Sequence, residues 1–488
     1  MREANLTRRQ LLRAGAAAGG GVLLAAARGA EPTPPAKAET GKKPPREPRM
    51  YTEPAKRVPM LGEYDVIVCG GGPAGCAAAV AAARHGARTL LVERDGYLGG
   101  TTVSALVVPI LSTNGVDFQG VWHELMRALQ RRSGVSGLTR GHPVAAHWIV
   151  GSVDPEQVKH AWDELVTGAG ATLLHHALVA GAIVDAGRCR GVVVETRAGR
   201  RALCAQRVVD CTGDGAVCAH AGVPSEQGID GQKWAMGVGF MWRLAGVPAV
   251  ASTTQGQGVP GFGRTVGARP ECLGGMLRLL RVDPLDPWDL TRAVREGRRE
   301  ALRLAQAARK KPGLEQAYLV DTAAQPGIRQ SRRVHGLATA TRDDAMQFRK
   351  HADGVARSSW EIDIHSATDP RKKGVAYDDP AYRPRIEGAK RGDYFDVRYG
   401  CLVAKGVDDL LVAGRCLSAE HEAQASLRIQ QTCMATGQAA GTAAALSLKE
   451  GVAPRQLDPA KLVAQLDKDR AVEPAFEILK NLPIAPRS

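Results

Sequence analysis

Apolar and polar positions along the chain set out a strand, a helix and a second strand in close succession. Tyr64-Asp65-Val66-Ile67-Val68-Cys69 is a short apolar run of strand type, and an alanine-rich stretch of helix length follows it to His85. Gly86 is expected to stop that helix, and Ala87 to Val92 reads as a second strand ending in Glu93. Further on, Asp154-Pro155 has the pattern of an N-cap with proline at the first helical position, opening a helix that ends near Gly168 or Gly170. From Ala171 to Asp210 short β-rich runs are separated by Asp185-Ala186-Gly187 and Arg197-Ala198-Gly199 turns. Residues 226–395 are less regular. They include a helix around Asp289–Arg309 and two basic, helical-looking clusters, Arg329–Arg333 and Arg342–Lys350. A final helix is expected within Pro454–Ser488, and no internal repeat is present.

Between the first strand and its helix lies Gly70-Gly71-Gly72-Pro73-Ala74-Gly75, which places G-x-G-x-x-G at Gly70, Gly72 and Gly75. Gly70 permits the tight turn, Gly72 lets backbone approach a pyrophosphate at the helix N-terminus, and Gly75 lets helix and sheet pack closely. Glu93, 18 residues after Gly75, is placed to accept hydrogen bonds from ribose hydroxyls. The glycines alone are a weak signal. Strand, glycines, helix, second strand and terminal acid in one unit make a strong one.

Composition narrows the class. The 488 residues are 44% apolar, 24% charged and only 4% aromatic, with 56 glycines, which suits a turn-rich α/β enzyme better than an aromatic platform for sugars or nucleic acid. The net charge of +15 is concentrated at the start. Residues 1–59 hold twelve Lys/Arg against five Asp/Glu, leaving +8 on the other 429, so nucleic acid is not an expected partner. Ten cysteines contain no C-x-x-C pair, and several sit in apolar company, so neither zinc nor an iron–sulfur cluster is expected.

Thr7-Arg8-Arg9-Gln10-Leu11-Leu12-Arg13, followed by the weakly hydrophobic Ala14 to Ala27, resembles a bacterial twin-arginine export signal. The apolar run is too short and too rich in Gly and Ala for a membrane span. Residues 31–59 are dense in proline and basic residues and read as an extended linker. The resemblance implies recognition by the twin-arginine export machinery, export after folding, and a periplasmic or extracellular protein with no stable membrane span.

Three later segments separate flavin from nicotinamide binding. Glu93-Arg94-Asp95-Gly96-Tyr97-Leu98-Gly99-Gly100-Thr101-Thr102, then Val208 to Gly215 with Thr212-Gly213-Asp214, then Asp409 to Arg415 with Gly414-Arg415, resemble successive flavin-contact segments of two-dinucleotide-binding-domain flavoproteins. The overall pattern over residues 60–447 is similar to the bacterial FAD-dependent oxidoreductase family related to the heterodisulfide reductase flavin subunit, and more distantly to fumarate reductase flavoproteins. That resemblance implies noncovalent FAD, with its adenosine end on Gly70–Glu93 and its ring near the later segments. The iron–sulfur cysteines of heterodisulfide reductase flavin subunits are missing here.

The implied fold is α/β: a Rossmann-like FAD-binding domain, parallel sheet plus small β-meander, with an inserted α+β substrate or cap domain. The expected partition is 1–30 signal, 31–59 linker, 60–225 and 396–450 FAD-binding, 226–395 cap, and 451–488 helical tail. The expected reaction is dehydrogenation of a small organic substrate by hydride transfer to flavin N5, with quinone, cytochrome or oxygen as acceptor. A terminal reductase running the flavin the other way and an electron-transfer subunit remain open.

Such a reaction needs a proton carrier beside the ring. Candidates are His421, in Glu420-His421-Glu422 just after Gly414-Arg415, and His365, in the alternating, strand-like Asp363-Ile364-His365. Arg329, Arg332 and Arg428 are candidates for carboxylate or phosphate recognition or for stabilising reduced flavin. Arg333 reads as a solvated helix face. His123-Glu124 and His421-Glu422 lack the second histidine of H-E-x-x-H, no G-x-S-x-G elbow occurs, and His175-His176 faces both sides of an expected strand.

Overall fold

A computed structural model describes residues 50–135, 139–140, 149–247, 271–369 and 380–469. Residues 1–49, which hold the expected export signal and most of the expected linker, lie outside these residues, as does the tail beyond residue 469. The chain divides into a unit ending at Pro59 and a unit from Met60 onward, and everything below concerns the second.

The expected strand–helix–strand opening is present as β1 (Met60–Cys69), α1 (Pro73–Arg84) and β2 (Thr89–Val92). The last four residues of β1 and all of β2 are buried, as their apolar runs require in a strand covered on both faces. Gly86, at φ +87°, ends α1, and its successor Ala87 donates back to Ala82 O at 3.2 Å. Helix α2 (Pro155–Gly168) is capped by Asp154, whose carboxylate accepts from Glu156 N and Gln157 N.

The β-rich stretch resolves into β3 (Thr172–Leu174), β4 (Leu178–Asp185), β5 (Arg188–Thr196) and β6 (Gly199–Asp210). The expected pair His175-His176 falls just past β3, not in it, and His176 turns at φ +55°. Short helix α3 (Ala216–His220) and strand β7 (Ser225–Gln227) follow. Then come β8 (Val238–Ala245), β9 (Glu271–Leu279), α4 (Pro287–Ala308), β10 (Tyr318–Thr322) and β11 (Arg332–Val334). The described chain closes with β12 (Leu410–Val412), α5 (His421–Leu427), α6 (Gln430–Lys449) and a helix at Pro459–Lys468.

The main sheet has the order β3-β2-β1-β6-β5-β4, with β12 on the free stretch of β6. The β3-β2-β1-β6-β12 pairs are parallel, and β4-β5-β6 is an antiparallel meander. Strand β6 belongs to both. Residues Arg200 to Cys204 pair with β5, and Val208 to Asp210 run between β1 and β12, so the meander delivers the chain back to the nucleotide edge. Strands β9-β8-β10 form a separate antiparallel sheet covered by α4, within residues 226–395.

Three expectations about local structure are corrected. Arg329–Arg333 is not helical: it is an extended segment ending in β11, which pairs antiparallel with β7. Arg333 is not a solvated helix face either. Its side chain is buried and donates to Glu226 Oε2 at 2.9 Å and to Gly228 O at 3.2 Å, partners that a helix would not have met. The segment around His365 is not a paired strand.

Helices α1 and α6 set the depth of the core. A Cβ on Gly437 would lie 2.0 Å from Ala74 O, and one on Gly441 would lie 2.1 Å from Ala78 O. The two backbones therefore touch, with alanines filling the rest of a contact buried along almost its whole length. Gly441→Ala is expected to cost about 3 kcal/mol, because the added methyl meets a carbonyl that neither helix can move aside. A urea melt of the variant measures this, and a midpoint equal to that of the parent would refute the close approach.

Candidate functional site

The turn from β1 to α1 is held open by backbone. Gly70 has φ +99°, and a Cβ there would lie 2.6 Å from Cys211 O, just past the end of β6. Gly75 lies under the turn, where a Cβ would lie 1.8 Å from Gly70 O. Gly72 differs: its φ of −76° suits any residue, and a Cβ would meet nothing nearer than Gly100 Cα at 3.9 Å. The space above Gly72 is where a ligand would come down onto α1. No side chain caps this helix, and Pro73 at its first position has no N–H, so the N–H groups of Ala74 and Gly75 face outward for an anion.

A second glycine turn completes the cradle. Gly99 N donates to Gly71 O at 2.8 Å, and Gly100 packs against Gly72 with the short helix from Thr101 to Ser104 behind it. Glu93 is buried between the two turns. One carboxylate oxygen accepts from Gly71 N at 2.5 Å and the other from Asp95 N at 2.8 Å. Burial pushes its carboxyl above the ordinary range, opposed by those two N–H groups.

At the end of β6, Asp210 is fully buried. It accepts from Thr212 N, Thr212 Oγ1 and Cys218 N at 2.7–3.1 Å, fixing the Thr212-Gly213-Asp214 turn to α3. Asp214 accepts from Ser331 Oγ at 2.7 Å and from Arg415 Nη2 at 3.0 Å. Arg415 leaves the chain just after Gly414, which sits at φ +77° and where a Cβ would lie 2.8 Å from Ala74 Cβ. All the residues expected to contact flavin thus line one continuous edge of the parallel sheet.

The candidate catalytic residues meet this edge through one segment. Residues 325–331 form a strap between the two ends of the cradle. At its start Gln325 N donates to Ser104 O at 2.9 Å, and the Gln325 amide bonds to Arg94 at 2.5 Å and Asp95 at 3.0 Å. At its finish Ser331 binds Asp214 and Arg415. Arg329 sits mid-strap and is buried. Its guanidinium donates to Gly237 O and lies 2.9 Å from Met276 Sδ.

Beside it, Arg428 Nη2 donates to Asp363 Oδ2 at 2.9 Å, and His365 Nε2 lies 3.1 Å from Asp363 Oδ1. Burial alone would raise the Asp363 carboxyl, but His365, Arg428 and Arg329 override it and hold it far below the usual carboxylate range. An ionised carboxylate only accepts, so His365 carries its proton on Nε2. Its Nδ1 is then a bare lone pair, buried and without a hydrogen-bond partner among the described residues. Burial, reinforced by Arg329, lowers the His365 pKa to about 4, so the ring is neutral at pH 7.

His421 is joined to the strap differently. Its Nδ1 lies 2.8 Å from Gln330 Oε1, and Gln330 in turn donates to Gln424 at 2.9 Å, which binds the Arg329 and Arg415 carbonyls. Burial, then the Arg333 charge, lowers its pKa to about 4 as well. Arg332 stands apart from this group and donates to Asp214 O at 3.0 Å, clamping the turn. The structure therefore brings His365, Arg329 and Arg428 together, ties His421 to them through two glutamines, and places Arg332 under the Thr212-Gly213-Asp214 turn. Gln330, Gln424 and Ser331 were not found from sequence, because uncharged hydrogen-bonding residues in no motif carry no signal. The four-residue spacing of Gly437 and Gly441 in an alanine-rich helix was a signal that could have been read.

All ten cysteines are free thiols, nine of them buried, and among the described residues no group of three His, Cys, Asp or Glu is placed to hold a metal ion. Among the same residues no helix is long and apolar enough to cross a membrane.

A glycine-lined β-α-β turn, a second glycine turn and a buried-acid turn on one sheet edge define a flavin-type dinucleotide-binding protein. The chain belongs to the FAD-dependent oxidoreductase family, whose sequence profile matches residues 65–260 and 264–466. It is an FAD-dependent enzyme. It is 42% identical over 77 residues to mitochondrial dihydrolipoyl dehydrogenase of Schizosaccharomyces pombe, 15% of each chain. It is 34% identical over 149 residues to a tRNA uridine 5-carboxymethylaminomethyl modification enzyme of Desulfitobacterium hafniense, 28% of this chain and 22% of that one. The matches thus span under a quarter of those curated relatives. Among solved structures, a geranylgeranyl bacteriochlorophyll reductase-like protein of Thermoplasma acidophilum aligns over 86% of both chains at 13% identity, with a TM-score of 0.43.

Proposed function

We propose that this chain is an exported dehydrogenase that oxidises a small organic substrate with FAD and passes the electrons to a quinone, cytochrome or oxygen. The observation that carries the reading is the Asp363–His365 pair, with its unpartnered Nδ1 beside the strap. FAD, when bound, supplies the two-electron acceptor. Gly70, Gly72, Pro73, Ala74 and Gly75 would hold its pyrophosphate, Glu93 and Arg94 its adenosine end. Gly99, Gly100, Thr101, Thr212, Gly213, Asp214, Gly414 and Arg415 would hold its flavin half. His365 Nδ1 takes the substrate proton. Asp363 keeps the ring in the tautomer that leaves this nitrogen bare and stabilises the imidazolium that forms.

Export rests on Thr7 to Arg13 and the apolar run behind them, which lie outside the described residues. A cofactor made in the cytoplasm gives such a protein reason to cross the membrane already folded. Kinship with the heterodisulfide reductase flavin subunit is supported by residues 93–102, 208–215 and 409–415, and opposed by cysteines that lack cluster spacing.

The purified chain is expected to be yellow, with one FAD per chain, and to bleach when the right substrate is added without air. A colourless preparation that FAD cannot reconstitute would end the proposal. Reduced enzyme reoxidised by an unsaturated organic acceptor, with no compound bleaching the oxidised form, would reverse the direction of the reaction.

A further inference from the structure

Arg329 is a buried cation with no carboxylate bonded to it. Only 8% of the residue is exposed, and its guanidinium is met by a carbonyl, Gly237 O, and by the weakly accepting sulfur of Met276. Among the described residues no carboxylate lies within 4 Å of it. The nearby acid, Asp363, is engaged by Arg428 and His365. Two further cations, Arg428 and Arg278, stand close enough to act on Arg329, and Asp363 offsets them only in part. Burial, then Arg428, pulls its pKa down to about 9, which still leaves it charged at neutral pH.

A buried charge left unpaired costs several kcal/mol, and proteins keep such a group where a ligand completes it. The surroundings are shaped for a planar fork. Gly239 lies against the guanidinium, where a Cβ would come within 3.4 Å of Nη2, and Gly239 and Gly327 are joined by a pair of backbone hydrogen bonds of 3.0 and 2.7 Å. A Cβ on Gly327 would lie 3.7 Å from Ala105 Cβ, so this bed adjoins the turn that begins at Gly99.

Resting on the dehydrogenase reading above, we infer that the substrate is a small carboxylate, and that Arg329 is its anchor. A guanidinium receives a carboxylate through two parallel N–H bonds, which fixes orientation as well as position. The anchored carboxylate brings the neighbouring carbon between the strap and His365, where the base nitrogen waits. Arg428 adds positive charge behind Asp363 without offering its own fork. The reduced, anionic flavin is the other anion that Arg329 could meet, and the experiment separates the two.

Malonate, a carboxylate with no oxidisable alcohol or amine, is titrated into the FAD-loaded protein by calorimetry and by flavin difference absorbance, with neutral malonamide alongside. Wild type is expected to bind malonate saturably and malonamide not at all. Arg329→Gln is expected to weaken malonate at least tenfold, a loss of about 1.4 kcal/mol, while retaining one FAD per chain. Should that variant fail to fold, Arg329→Lys carries the test: it keeps the charge but loses the fork, and is expected to bind more weakly than wild type. Equal affinity in either folded variant overturns the anchor. So does a flavin reduction potential that falls in Arg329→Gln while malonate affinity holds, because Arg329 then serves the coenzyme. Malonate binding to a chain that cannot retain FAD would preserve the anchor and sink the dehydrogenase.

Discussion

Gly72→Val is expected to yield a folded but colourless protein, and Gly75→Ala a protein that does not fold at all. The two glycines are three residues apart in one motif, yet their surroundings are opposite. A side chain on Gly72 projects from ordinary backbone into open space, so the fold is indifferent to it and the ligand is not. It would occupy the path by which a pyrophosphate reaches the N–H groups of α1. A methyl on Gly75 would be driven into the Gly70 carbonyl, in a turn already fixed against Cys211 and Thr212. That overlap can be relieved only by parting α1 from the sheet, a loss of more than about 4 kcal/mol. Circular dichroism, a thermal melt and the flavin-to-protein absorbance ratio distinguish the outcomes. If Gly72→Val keeps its flavin, the cradle has been misread.

His365→Gln is expected to slow flavin reduction by about a hundredfold or more, in line with the usual contribution of a positioned base. Glutamine keeps a donor for Asp363 but has no lone pair to offer where Nδ1 stood. The same variant has a signature in stability. With its pKa near 4 in the folded protein against 6.5 in the unfolded chain, His365 binds its proton more readily when unfolded. Stability from this group is therefore complete above about pH 6.5 and is lost as pH falls through 4, up to about 3 kcal/mol. His421 titrates in the same window, so His365→Gln should reduce the dependence between pH 4.5 and 7 without abolishing it. Urea melts at those two pH values measure the change. A wild-type rate in the variant would move the base to His421 or elsewhere.

The β-α-β unit was legible because its requirements are local. Each glycine answers a backbone demand within a few residues, the strands are apolar runs, and Glu93 follows the second strand directly. The cap of α2, the meander and its return into β6 were readable for the same reason: turn residues and β-branched runs act on their neighbours. The segment Arg329–Arg333 was misread as helical because its charged spacing resembles a helix face. Its true conformation is imposed by β7, more than a hundred residues earlier in the chain.

By itself, then, the sequence determined the nucleotide-binding edge, the flavin class, and the residue types from which a proton carrier would be drawn. Only tertiary structure decided that Arg428 holds Asp363 beside His365, and that Arg329 is buried with no carboxylate bonded to it. The strap that carries Arg329 is fixed by Arg94, 231 positions before Gln325, and by Asp214, 117 before Ser331. Local preference reaches a few residues along the chain. The pairing and burial of charge depend on what folding brings beside them, and no periodicity in the sequence records that.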